Sequence, residues 1–231
     1  FMEACAAEYE KQTGGKIQLS GGGAQLGIET AAAGGADFGG TCRACLPQLN
    51  EDKLGIKLAV VAWDALTAIV HKAVRRGKSS GVGYSVRTLI LDDPDADFGS
   101  TAVRLNSSGP VEQLIEKQRR AIGVTGVSSA RKRDVKILSI DGHSPTPTNI
   151  AQAEYPYYRP LYIAYRPGTD AAADAFVAWL LGESGQKVIE QNQTVTLAQG
   201  ARLAKSYAHF GDTGQIINYQ TLLELAEGTQ P

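Results

Sequence analysis

Three glycine-rich turns, each bearing hydroxyl side chains and each placed just ahead of a helical pattern, constrain this chain more than any other feature. They fall at residues 20–24, 76–85 and 106–110. Glycine lets successive backbone N–H groups converge. A helix start leaves several N–H groups unpaired at the positive end of the helix dipole. A turn of this kind is a ready anion site, and three of them point to a protein that holds a small anion.

Around these turns, apolar β-branched runs alternate with amphipathic segments, which predicts an α/β fold. Helical spacing covers residues 2–12, 24–33, 80–91, 110–120, 170–181 and 216–226, and a further helix starts near 186. Strand patterns cover 16–19, 36–40, 57–62, 65–72, 74–76, 103–105, 122–127, 135–140 and 161–165. Asp64, between two of these runs, reads as a turn residue. The Pro- and Tyr-rich stretch 145–160 reads as a segment crossing between two lobes.

At 231 residues the chain can bury one large core or those of two small lobes. A net charge of −1 gives no field that calls for nucleic acid or for a basic partner. No apolar run reaches the roughly 18–20 residues that cross a bilayer. The opening Phe1-Met2-Glu3-Ala4 shows no signal-peptide pattern. His71, His143 and His209 are scattered, which gives no metal constellation. No nucleophile–base pair or nucleotide fingerprint stands out, so neither catalysis nor a cofactor is expected. Cys42 and Cys45 form a C-x-x-C beside the third cysteine, Cys5. The pair reads as a structural disulfide, as buried inert thiols, or as a reactive thiol at Cys42 beside Arg43.

Several stretches together resemble the phosphate-binding, type II periplasmic solute-binding proteins of ABC transporters. They are Thr13-Gly14-Gly15-Lys16-Ile17 followed by Ser20-Gly21-Gly22-Gly23; Gly35-Ala36-Asp37-Phe38-Gly39; Val61-Ala62-Trp63-Asp64-Ala65-Leu66; and Ile69-Val70-His71-Lys72. They continue with Arg76 through Gly81, Ala121-Ile122-Gly123-Val124, Ser139-Ile140-Asp141-Gly142 with Pro145-Thr146-Pro147, and Tyr158-Arg159-Pro160-Leu161-Tyr162. The resemblance implies a two-lobed α/β fold with the ligand between the lobes. Lobe one then takes residues 1–72 and 160–231, and lobe two, which looks reduced, takes 73–159.

Carried over by position, the resemblance places a ligand site at Gly22, Gly23, Ala24, Thr41, Cys42, Arg43, Arg76, Ser79, Ser80 and Gly81, and Ser108 of the third turn joins them. The pocket is altered. Ala24 stands where the family has a serine, Val82 where it has a threonine, and Cys42 where many members have the carboxylate that accepts a proton from phosphate. Arg76 and Ser80-Gly81 keep the second anion loop. The expected function is reversible capture of a small, phosphate-like anion in a periplasmic or extracytoplasmic setting, for the membrane component of an ABC transporter. Two alternatives share the fold: a binder of a thiol- or carboxylate-bearing molecule such as glutathione, and an interaction domain that has lost its ligand.

Overall fold

The computed structural model describes residues 1–69, 74–76, 81–97, 103–105, 107–118 and 121–228. The chain opens with α1 (Met2–Thr13), whose Cys5, Ala6 and Tyr9 face inward. Gly14 ends it in the left-handed conformation that only glycine adopts without strain. Residues 16–19, expected as a strand, join no ladder. There follow α2 (Ala24–Ala33), β1 (Phe38–Thr41), β2 (Lys57–Ile69), β3 (Val74–Arg76), α3 (Gly81–Leu89), β4 (Val103–Leu105), α4 (Ser108–Lys117), β5 (Gly123–Gly126) and α5 (Val127–Ala130). The chain closes with α6 (Pro147–Ala151), β6 (Tyr158–Tyr165), α7 (Ala171–Leu181), α8 (Glu183–Gln191), α9 (Leu203–Ser206) and α10 (Tyr219–Gly228).

One sheet has the order β1-β6-β2-β5 with antiparallel pairing throughout, and β3 and β4 form a separate parallel pair. The spine is β2. The two apolar runs expected at 57–62 and 65–72 are one strand, and Asp64 lies within it rather than in a turn. The reason is burial. Almost every residue of β2 is covered on both faces, so the run stays extended through a single polar position. A register shift between Val60 and Ala62 re-aims its side chains.

β2 changes partner along its length. It pairs with β6 from Lys57 to Ala65 and with β5 from Leu66 to Ile69. Its first part lies between two apolar clusters. One is built around Leu58, Val60, Trp63, Tyr155, Tyr162 and Leu203, the other around Ala59, Val61, Phe176, Val177 and Ile189. Its last residue, Ile69, packs instead with Val111, Ile115, Ala121 and Ala130. The run 135–140 forms isolated bridges at Ile137 and Ile140 in place of a strand. The stretch expected to cross between lobes contains α6 and the start of β6.

Candidate functional site

The first glycine turn leads into α2 through Gly23, which caps the helix at φ 89° and ψ 171°. That φ lies on the positive side that residues with a Cβ avoid. Gly23 has no side chain with which to cap the helix start, where the positive end of the helix dipole lies. Gly22 and Gly23 are exposed and Ala24 is buried. The first turn of α2 is clamped onto β1 by backbone contact. A Cβ on Gly27 would collide with Gly40, and one on Gly39 would fall into the backbone of Gly27. This packing brings the start of α2 against the end of β1, where Thr41 and Cys42 follow.

Two expectations about that loop change. Thr41 was expected to offer a hydroxyl to an anion. It is buried, its Oγ1 donates to the Arg43 carbonyl at 3.0 Å, and the same oxygen accepts from the Arg43 N–H at 3.3 Å. A hydroxyl has one proton to donate, and here it closes a local turn. Arg43 was expected to grip the ligand. Its guanidinium is instead buried against Glu51, with Nη1 to Oε2 at 2.5 Å and Nη2 to Oε1 at 2.8 Å. Nη1 also donates to the Ala44 carbonyl at 2.9 Å. A buried arginine is best satisfied by a two-pronged carboxylate, and Glu51, eight residues on, supplies it. The sequence reading gave Glu51 no role.

Cys42, Cys45 and Cys5 are all free thiols. Cys42 is half-buried, while Cys45 and Cys5 are buried. Burial pushes the Cys45 thiol up to about 11, with the Glu51 carboxylate adding to the effect. Burial also pushes Cys5 up to about 11. Both remain protonated and inert at neutral pH, which answers for Cys45 the question that the C-x-x-C raised.

Of the second turn, Ser79 and Ser80 lie outside the described residues, and Arg76 is placed in β3 by its backbone alone. Gly81 starts α3. Ser108 is the first residue of α4 and is half-buried. Ser107 precedes it without forming a side-chain cap. Among the described residues, no group of three His, Cys, Asp or Glu side chains could hold a metal ion.

A second buried arginine, Arg159, was given no binding role in the sequence reading. Arg159, in β6, is 3% exposed and stands opposite Asp64 of β2 in the strand register. Its Nη1 donates to Ser85 Oγ on α3 at 3.3 Å, and its Nη2 faces Asp64 Oδ2 at 3.8 Å. The other Asp64 oxygen accepts from the Ser128 N–H at 3.0 Å. Burial is the main reason that the Tyr207 phenol is held above its ordinary range. Arg159 opposes this effect, while Tyr84, Cys42 and Tyr158 reinforce it. Burial likewise raises Tyr162, and Tyr207, Cys42, Cys45 and Tyr84 add to the effect. Cys42 from the loop after β1, Tyr84 from α3 and Arg159 from β6 are therefore each within electrostatic reach of Tyr207. The signal for Arg159 was available: a lone arginine in an apolar strand needs a carboxylate opposite it.

The PBP superfamily domain matches residues 71–184. The phosphate-binding protein PstS 2 of Streptococcus agalactiae is 29% identical over 113 residues, which are 48% of this chain and 37% of that protein. The phosphate-binding protein PstS of Bacillus subtilis is 31% identical over 120 residues, which are 52% of this chain and 39% of that protein. The matched segments thus span less than two fifths of these relatives. A substrate-binding protein from Clostridium perfringens, solved with phosphate bound, superposes with a TM-score of 0.76 at 19% identity, over 84% of this chain and 93% of that one. An ABC-type phosphate transport receptor from Vibrio cholerae gives 0.63 at 24% identity, over 84% and 94%. The periplasmic molybdate-binding protein of Azotobacter vinelandii gives 0.59 at 17% identity, over 84% and 93%. The fold is that of the type II periplasmic binding proteins.

Proposed function

We propose that this chain is an extracytoplasmic solute-binding protein that captures a small oxyanion, phosphate-like in shape and charge, for the membrane component of an ABC transporter. The observation that carries the reading is the start of α2. It is left without a side-chain cap, opened by Gly23, and held by glycine-to-glycine contact against the end of β1. The N–H groups of a rigid helix start, at the positive end of its dipole, suit an anion. The phosphate-binding relatives and the fold support the same class of ligand. The chain binds and releases, with no turnover, in a cleft between a lobe of residues 1–72 and 160–231 and a lobe of 73–159. Closure of that cleft excludes water and strengthens each bond to the anion.

In this reading Gly22, Gly23 and Ala24 offer backbone N–H groups, Cys42 faces the ligand, and Arg76, Ser79, Ser80, Gly81 and Ser108 complete the cradle from the other side. Thr41 and Arg43 shape the loop and do not touch the anion. A second reading rests on Cys42, a half-buried free thiol where many phosphate binders have a carboxylate. On that reading the ligand is a carboxylate- or thiol-bearing molecule in the same cleft.

A thermal-shift screen separates the two, because a ligand that binds only the folded state raises the unfolding midpoint. Phosphate, sulfate, molybdate and glutathione are the probes. A rise with the inorganic oxyanions supports the first reading, and a rise with glutathione alone supports the second. No rise with any of them counts against both. Arg76→Ala then tests the cradle: losing a charge-assisted, two-pronged contact should weaken phosphate binding about 30- to 1,000-fold. Equal affinity for the wild type and the variant removes Arg76 from the site.

A further inference from the structure

Arg159 and Arg43 are buried alike, yet their surroundings are opposite in kind. Arg43 has a carboxylate on two of its nitrogens. Among the described residues, Arg159 makes a single hydrogen bond, the 3.3 Å contact from Nη1 to Ser85 Oγ. Its nearest carboxylate oxygen, Asp64 Oδ2, stands off at 3.8 Å, and its buried Nε has no partner. A guanidinium offers five N–H donors. One that is left this far from saturation in the interior costs stability unless its neighbours can draw closer.

The place of the cluster gives that shortfall a meaning. β2 pairs with β6 as far as Ala65 and with β5 from Leu66 onward. Asp64 and Arg159 face each other in the ladder at the edge of that switch. Gly126, the last residue of β5, lies against both: a Cβ there would come within 2.5 Å of Asp64 Oδ2 and 3.0 Å of Arg159 Nη2. Asp64 also accepts from the N–H of Ser128 in α5, and Arg159 reaches Ser85 in α3. Five parts of the fold, β2, β6, β5, α5 and α3, therefore meet at one incompletely bonded ion pair. One of them, α3, starts at Gly81.

We propose that Arg159 is a positioning residue for anion binding. From the β2–β6 strand pair it holds Ser85, which sets where the start of α3 is presented. Its loose contact with Asp64 shortens as the cleft closes. This inference rests on the anion-binding reading above. It assigns Arg159 no contact with the anion.

The test titrates inorganic phosphate and molybdate by calorimetry into the wild type, Ser85→Ala, Arg159→Lys and Arg159→Met. The urea midpoint of each protein is measured without anion. Ser85→Ala removes the acceptor that Arg159 has on α3, and it should weaken binding about three- to tenfold while lowering the midpoint less than Arg159→Met does. Arg159→Lys keeps a charge against Asp64 but cannot hold Asp64 and Ser85 together. It should restore the midpoint relative to Arg159→Met while leaving affinity at least about tenfold down. Wild-type affinity in both Ser85→Ala and Arg159→Lys overturns the proposal. So do affinity losses that run parallel to losses of midpoint across the series, which a merely structural pair would give. A wild type that binds neither anion overturns the anion-binding reading itself and this inference with it.

Discussion

Arg43 meets Glu51 in a two-pronged, buried contact of 2.5 and 2.8 Å, and the same carboxylate accepts from the Leu46 N–H at 2.8 Å. One acidic side chain thus ties down the loop that follows β1 and fixes where Cys42 stands. Replacing Glu51 by Gln leaves an uncompensated buried cation, which should cost about 3–5 kcal/mol. Exchanging both partners, Arg43→Met with Glu51→Leu, should recover part of that loss, since no buried charge is left over while the Leu46 N–H and the Ala44 carbonyl lose their partners. Urea denaturation reads both. A loss under about 1 kcal/mol for Glu51→Gln contradicts the structural role.

The approach of α2 to β1 allows no side chain at Gly39, because a Cβ there would overlap the backbone of Gly27. Gly39→Ala should therefore destabilise the fold by about 1–3 kcal/mol through overpacking. It should also weaken phosphate binding, because the helix that moves to relieve the clash is the one with the uncapped start. Thermal denaturation and phosphate titration on the same protein check the two effects. An unchanged melting point shows that the two backbones do not meet this closely.

Cys5 and Cys45 make stability fall in alkali. Burial raises both folded thiols to about 11, above the unfolded value near 9. The folded state therefore holds these protons through a window in which the unfolded chain has lost them. The contribution to stability is complete below about pH 9 and is lost as pH rises through about 11. Urea midpoints at pH 8, 9, 10 and 11 should decline over that range, and Cys45→Ala should flatten part of the decline. The same burial predicts slow native alkylation of these two thiols at pH 8, with half-buried Cys42 modified first. Mass spectrometry that finds all three labelled at one rate contradicts the burial.

Much of the architecture was legible because burial writes itself into local pattern. The helix limits at Gly14 and Gly34, the apolar run of β2 and the Ala-rich α7 all follow from spacing and caps. Asp64 looked like a turn residue because a polar residue between two apolar runs interrupts the local pattern, and its partner Arg159 comes from far along the chain. Thr41 and Arg43 looked like ligand donors for their chemistry alone, and the structure engages them with each other and with Glu51. Residues 16–19 have a strand pattern but join no ladder, since a pattern specifies a face and a ladder needs a neighbour. The turn around Gly23 was readable because it depends only on glycine and the helix that follows.

In the proposed site, Cys42 takes the position that sets selectivity. At neutral pH phosphate carries a proton and sulfate carries none, and a carboxylate in the pocket accepts only from the protonated anion while repelling the other. Cys42 offers a thiol there in place of a carboxylate, and the neighbouring Thr41 hydroxyl is engaged with Arg43. Ala24 and Val82 add no side-chain donors. The wild type should therefore separate phosphate from sulfate by less than about tenfold. Installing the carboxylate by Cys42→Asp should raise that ratio by tenfold or more, about 1.4 kcal/mol, chiefly by weakening sulfate. The mutation places the charge near Tyr162 and Tyr207, both of which already sense Cys42. A circular-dichroism melt must therefore first show that the variant folds. Competition binding then decides the matter. If phosphate binds the wild type at submicromolar concentration and about a thousandfold excess of sulfate fails to displace it, the selectivity comes from elsewhere in the cleft and Cys42 is not its determinant.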